Sequence, residues 1–170
     1  MRLKEINWKI WAPIILGLAY LLSRFINLTI IPIFVDEAIY TRWSQIILSD
    51  PSNNLFIPLS DGKQPLYMWA AAQFLRVFKD PLFAARTASV FAGLFGVWGT
   101  YLLAKEFFGK RIGIISAVLF IFCPFLFLYN RLAVVDGMMT TFYIFAVYFI
   151  YLLVKNIKLK DSFLLGVMLG

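Results

Sequence analysis

The sequence predicts an all-α integral membrane protein, a polytopic helical bundle with four complete transmembrane helices, a truncated fifth and a large first loop. Of its 170 residues 62% are hydrophobic, whereas a soluble domain is about half apolar. The mean hydropathy of +0.82 agrees with a chain that lies mostly in lipid. The apolar residues also fall into runs, several of them near the ~20 residues that a helix needs to span a bilayer.

Charge and composition exclude several classes of function. The net charge is +7, but the basic residues fall between apolar runs, where they orient a protein in a membrane, so no nucleic-acid partner is expected. The single cysteine, Cys123, excludes a disulfide framework and a thiolate metal site. Because the chain has no histidine, acid–base chemistry falls to Asp, Glu, Lys or Tyr.

The first predicted span covers residues 10–34 and follows a positively charged N-terminus. No small-residue cleavage site follows Leu22, so the segment is interpreted as an uncleaved anchor and not as a signal peptide. Arg24 lies in the outer part of this span. Its guanidinium either reaches the lipid headgroups or faces a polar cavity.

A long loop, residues 32–82, is interrupted by prolines and is predicted to hold two short helices. The first carries one apolar face and one polar face, the pattern of a helix lying in the membrane interface. The apolar face comprises Ile39, Trp43, Ile46 and Ile47, and the polar face comprises Glu37, Thr41, Ser44 and Gln45. The second helix, residues 65–78, is too short and too polar to cross the bilayer.

Three further complete spans are predicted at residues 82–104, 112–129 and 138–154. Gly93, Gly96 and Gly99 in the second span are expected to allow close helix packing. A fifth apolar segment begins at residue 162 and is cut off at residue 170, from which the sequence is expected to be part of a longer protein.

The distribution of lysine and arginine predicts the topology. Nine of the sixteen lie in the N-terminus and in the 105–111 and 155–160 loops, all on one side if the four spans alternate. That side is therefore predicted to be cytoplasmic. The 32–82 and 130–137 loops then share the extracytoplasmic face.

Charged residues of both signs gather on this predicted outer face. They are Asp36, Glu37, Asp61, Lys63, Arg86, Arg131 and Asp136. A carboxylate can accept the proton of an acceptor hydroxyl, and a cation can stabilise a departing phosphate, as transfer from an anionic lipid-linked donor requires. Spacing alone also allows ordinary loop charges, and Asp36 could be the N-cap of the helix that begins at Glu37, a role compatible with a catalytic one.

Five sequence elements carry a family resemblance. They are Asp36-Glu37-Ala-Ile-Tyr40, Gly62-Lys63-Gln64-Pro65-Leu66-Tyr67, Ala85-Arg86, Phe107-Phe108-Gly109-Lys110-Arg111, and Arg131-Leu-Ala-Val-Val-Asp136-Gly137. In this order the chain resembles the GT-C superfamily of glycosyltransferases, in particular the protein O-mannosyltransferase group that includes the aminoarabinose transferases. It departs from many relatives at Gln64, where they have proline, and from some at Gly62, where they have glutamate.

The resemblance implies roles for single residues. Asp36 matches the catalytic base and Glu37 a supporting acid, while Asp136 matches an acid of the active-site cavity. Lys63 matches the lysine associated with the donor phosphate. Arg86, Arg131 and Arg24 are further candidates for binding that phosphate, because guanidinium groups suit phosphate oxygens.

The implied function is an inverting transfer of a hexosyl or pentosyl group from a dolichyl- or undecaprenyl-phosphate donor to a lipid, glycan or protein acceptor. Residues 1–170 would form one module in a prokaryotic plasma membrane, with the N-terminus in the cytoplasm. The resemblance makes no cofactor certain and leaves a divalent cation, Mg²⁺ or Mn²⁺, open. The alternatives are a non-catalytic lipid-phosphate-binding or transport component and an inactive fragment, although no internal repeat typical of transporters is found.

Overall fold

A computed structural model describes the chain from residue 8 to residue 170, with side chains from residue 13 onward. Within that range every regular element is a helix, which confirms the all-helical prediction. The helices are α1 (Trp8–Phe25), α2 (Val35–Ser49), α3 (Pro51–Asn54), a short 3-10 helix (Ile57–Asp61), α4 (Leu66–Leu75), α5 (Pro81–Phe108), α6 (Lys110–Phe122), α7 (Pro124–Tyr129), α8 (Val135–Lys155) and α9 (Leu159–Leu169). The N-terminal cations Arg2 and Lys4, and the side chain of Lys9, lie outside the described part.

Helix α5 is the centre of the bundle and contacts α1, α2, α4, α6 and α8. Its glycines lie where those neighbours approach. A Cβ atom at Gly93 would lie 2.6 Å from the Asn130 side chain, and one at Gly96 would lie 2.8 Å from Thr141 Oγ1. The predicted packing role of these glycines is therefore confirmed.

Two described helices, α5 and α8, are long and apolar enough to cross a membrane. Large apolar side chains cover the outer surfaces of α1, α5 and α8 and are exposed in the isolated chain, as lipid-facing side chains would be. They include Ile15, Leu18, Leu22, Phe95, Trp98, Tyr143, Val147 and Val154. These surfaces agree with the predicted membrane class.

Two predicted spans differ from the observed helices. Helix α1 ends at Phe25 instead of residue 34, because Asn27 has a φ of 50°, the left-handed conformation that commonly terminates helices. The apolar run 112–129 is divided into α6 and α7 at Cys123, which is extended. Pro124 causes the break, since proline lacks the amide hydrogen and disfavours a helical residue before it.

Helix α2 buries its polar face in the protein. Its polar residues Glu37, Thr41 and Ser44 are buried against α4 and α5; on the apolar face Ile39 is exposed, whereas Ile47 is buried. A buried arginine of α5 explains this, because it requires a carboxylate partner and Glu37 supplies it. Ser44 is satisfied within the helix by donating to the Tyr40 carbonyl at 2.8 Å.

The connecting segments gather at two opposite ends of α5. Arg86 lies near one end, with residues 26–37 and the 130–134 segment around it. Glu106 lies near the other end, where it contacts Lys155 and Tyr151 of α8. Twenty residues separate Arg86 from Glu106, about 30 Å along a helix and close to the thickness of a hydrocarbon core.

Candidate active site

A buried ion pair joins the first loop to the bundle at the Arg86 end. Glu37 and Arg86 have fully buried side chains, and the guanidinium donates from Nε to Glu37 Oε1 at 2.8 Å and from Nη2 to Oε2 at 2.7 Å. Glu37 also accepts from the amides of Phe34 at 3.0 Å and Ala133 at 2.6 Å. One carboxylate therefore connects α2, α5 and the segment before α8.

The remaining donors of Arg86 are used by main-chain carbonyls. Nη1 donates to Leu28 and Ile31, each at 2.9 Å, and Nη2 donates to Pro32 at 3.4 Å. With the two bonds to Glu37, all five N–H groups of the guanidinium have an acceptor. In this arrangement Arg86 fixes the segment between α1 and α2 and has no free donor for a phosphate.

Arg24 and Arg131 are also directed at main-chain carbonyls. Arg24 donates to Ile121 O at 2.7 Å, next to the break between α6 and α7, and Arg131 donates to Ile26 O at 2.9 Å, just after α1. Both guanidinium groups lie over the Phe127 ring, at 4.3 and 5.3 Å from its centroid. Each cation thus stabilises the C-terminal end of a neighbouring helix, where free carbonyls and the helix dipole favour positive charge.

Asp36 lies in the first turn of α2 with its carboxylate exposed. The helix begins at Val35 and the residue before it, Phe34, occupies the N-cap position, so Asp36 is not the N-cap. Instead Glu37 supports the helix start by accepting from the Phe34 amide. No hydrogen bond to the Asp36 carboxylate occurs within residues 13–170, and a partner hydroxyl could approach it.

Tyr40 connects the other predicted site residues. Burial raises the pKa of its phenol, the adjacent Lys63 ammonium opposes that rise, and the carboxylates of Asp36 and Asp136 add to it. The Tyr40 ring is held by Tyr67, with centroids 6.4 Å apart, and is buried in a cluster with Val134. The charges of Asp36, Lys63 and Asp136, from three separate segments, therefore all act on one phenol.

An apolar groove of about 810 Å³ opens beside this cluster. Lys63 places a positive charge in the lining of the groove. The walls come from the 3-10 helix, the start of α4, α8 and the end of α9. The walls include Phe56, Leu66, Trp69, Met138, Phe142 and Val167. A long apolar molecule with an anionic end would match this combination of lining and charge.

The predicted residues thus separate into two groups. The charges of Asp36, Lys63 and Asp136 act on Tyr40, whereas Glu37, Arg86, Arg131 and Arg24 are buried. Sequence analysis did not identify Tyr40 as a site residue. Its position four residues after Asp36 was an available signal, because residues i and i+4 share a helix face.

No group of three or more metal-ligating side chains comes together in the described part of the chain. The carboxylates, the phenol and the ammonium group can serve proton transfer and the stabilisation of phosphate charge.

Comparison with known proteins gives one match. The family model described as dolichyl-phosphate-mannose-protein mannosyltransferase matches residues 62–170, which is 109 of the 170 residues. This region contains Lys63, Arg86 and Asp136 and begins after α2, so it does not include Asp36. No curated protein and no solved structure matches the chain.

Proposed function

The chain belongs to the dolichyl-phosphate-mannose-protein mannosyltransferase family, a family of membrane glycosyltransferases, and we propose that it transfers a sugar from a polyprenyl-phosphate donor to an acceptor hydroxyl at the Asp36 end of the bundle. The observation that carries the proposal is the apolar groove lined by Lys63, with the charges of Asp36 and Asp136 close enough to act on the neighbouring Tyr40 phenol. A cation in a lipid-sized groove and two carboxylates near it are the groups that this reaction uses.

Asp36 is the general base of the proposed reaction. The acceptor oxygen forms a bond to the anomeric carbon while the bond from that carbon to the phosphate oxygen breaks, which inverts the configuration. The acceptor proton passes to the Asp36 carboxylate, and the polyprenyl phosphate leaves with the electron pair. Support comes from the exposure of Asp36 at a helix start that other residues stabilise. Asp136 is the second acid and orients the acceptor.

Lys63 binds the donor phosphate, and the groove holds the first part of the polyprenyl chain. An ammonium at the edge of an apolar groove can contact an anion without losing its hydration entirely. Tyr40 positions Lys63 and separates its charge from those of the two acids, which is supported by the opposing effects of these groups on the Tyr40 pKa.

Glu37, Arg86, Arg131 and Arg24 position the site and do not contact the donor. The Glu37–Arg86 ion pair and the contacts of the three arginines with the 26–32 segment and the α6–α7 break fix the loops that present Asp36 and Asp136. A catalytic carboxylate needs such support, since misplacement by about 1 Å can cost a hundredfold in rate.

We place the site on the extracytoplasmic face of the membrane, with the N-terminus in the cytoplasm. The distribution of lysine and arginine supports this orientation, because Lys105, Lys110 and Lys155 lie at the end of the bundle opposite to Lys63. Residues 1–170 then act as one module.

The test compares Lys63→Ala with Arg76→Ala in the full-length protein reconstituted in lipid. Arg76 is an exposed cation at the end of α4 and does not line the groove, so it is a matched control for loss of one positive charge. Lys63→Ala is expected to raise the KM for a polyprenyl-phosphate sugar about tenfold or more, as loss of a charge-assisted hydrogen bond implies. Equal donor KM values for the two variants would remove Lys63 from the site.

A further inference from the structure

A second apolar groove lies at the other end of the bundle, between α1, α5 and α6. Its volume is about 260 Å³. Leu16 and Gly17 of α1 form one wall, Leu94 and Trp98 of α5 form another, and Ala117 of α6 forms the third. The groove leaves space beside Gly17, where an added Cβ atom would meet only Leu94 Cδ1, at 3.8 Å.

The mouth of this groove is positively charged. Lys110 is part of the lining, as is Tyr101, and the Lys105 ammonium lies 6.0 Å from the centroid of the Tyr101 ring. Lys105 also lies against the start of α6. A Cβ atom added at Gly113 would lie 3.1 Å from the Cβ atom of Lys105. The two ammonium groups and the apolar slot are therefore parts of one surface.

No acid neutralises this charge within residues 13–170. The one carboxylate in the 105–111 turn, Glu106, is directed towards Lys155 of α8, with an N–O distance of 3.5 Å. Neither Lys105 nor Lys110 has an ion-pair partner in that range. An exposed pair of cations beside an apolar slot favours a ligand that is anionic at one end and hydrocarbon at the other.

We propose that this groove binds an anionic phospholipid from the surrounding bilayer, with one acyl chain between α1 and α5 and the phosphate at Lys105 and Lys110. The lipid lies at the opposite end of α5 from Lys63, so it is neither donor nor acceptor. It fills the space that Gly17 leaves and thereby stabilises the packing of α1 on the bundle.

The test measures lipid binding by native mass spectrometry of the full-length protein, delipidated in a neutral detergent and titrated with phosphatidylglycerol or phosphatidylcholine of identical acyl chains. Phosphatidylglycerol is expected to bind several-fold more tightly. Lys110→Gln is expected to weaken its binding about fivefold, the contribution of one lysine near an anionic lipid. Lys158→Gln is the matched control, an exposed lysine remote from the groove, and is expected to leave binding unchanged.

Gly17→Leu tests the apolar part separately. Its side chain would occupy the slot, so binding of both lipids at this site should fall at least tenfold while the folded yield is retained. Equal affinity of the two lipids for the unmodified protein would overturn the proposal, as would unchanged phosphatidylglycerol binding by Lys110→Gln. Absence of lipid binding in the full-length protein would also overturn it and would indicate that protein covers the groove.

Discussion

Replacing Glu37 by glutamine tests whether this residue acts as a structural partner of Arg86. The substitution keeps the shape of the side chain and removes its charge. Four hydrogen bonds reach the carboxylate, two from Arg86 and one each from the Phe34 and Ala133 amides. In either orientation the new amide group would point its N–H atoms at two of these donors, and the guanidinium would be left buried without a counter-charge.

The expected cost is large. Breaking a buried ion pair from one side destabilises a protein by about 3–5 kcal/mol. For a chain of this size that corresponds to a fall in Tm on the order of 10 °C. Glu106→Gln is the control, because it removes the same charge from the largely exposed pair with Lys155, where the expected cost is at most about 1 kcal/mol.

The assay is the thermal unfolding of purified full-length variants in detergent, with sugar transfer measured on the folded fraction. The double variant Glu37→Gln with Arg86→Gln completes a mutant cycle, and it should be less destabilised than the sum of the single changes because neither charge remains buried alone. If Glu37→Gln unfolds at the wild-type temperature and is inactive, Glu37 acts in the chemistry and the structural role assigned to it is wrong.

Three other predictions concern different parts of the chain. Tyr40→Phe should lower kcat/KM several-fold without lowering Tm, because it removes the hydroxyl proposed to position Lys63; an unchanged kcat/KM would remove Tyr40 from the site. Gly93→Ala should lower Tm by several degrees, because its Cβ would clash with the Tyr20 hydroxyl and lie 2.6 Å from the Asn130 side chain; Gly166→Ala, which meets nothing within 4 Å, should not. In a Cys123→Ser background, a cysteine at Ser60 should react with an impermeant thiol reagent in intact cells and one at Lys158 should not, and the reverse pattern would contradict the orientation.

The helices, and the charged loops at the two ends of the bundle, could be predicted from the sequence. Both depend on local features, the apolar runs and the spacing of glycines. The sequence did not show that the polar face of α2 is buried, since periodicity groups residues on a face without showing what that face contacts. Arg86, 49 residues further along the chain, draws Glu37 inward. The break at Pro124 had a local signal, but the apolar run on both sides outweighed it in the prediction of a continuous span.

The candidate site could be predicted only in part, because it also depends on contacts between distant segments. Asp36, Lys63 and Asp136 were identified from their sequence elements, whereas the action of their charges on Tyr40 depends on how α2, the 62–66 segment and α8 pack. Likewise the sequence marks Arg24, Arg86 and Arg131 as cations near the outer face. Only the structure shows that each of them donates to a main-chain carbonyl.

The most direct test of the proposed chemistry is sugar transfer by Asp36→Asn in the full-length protein in lipid. Asp36 is exposed and is not the N-cap, so this change should alter the free energy of unfolding by less than about 0.5 kcal/mol. Asparagine cannot accept a proton at neutral pH, and turnover should fall by about 10²–10⁴-fold, the contribution of a general base. Asp36→Glu should retain part of the activity because it keeps a carboxylate. A folded Asp36→Asn variant with near-normal turnover would contradict the assignment of Asp36 as the base.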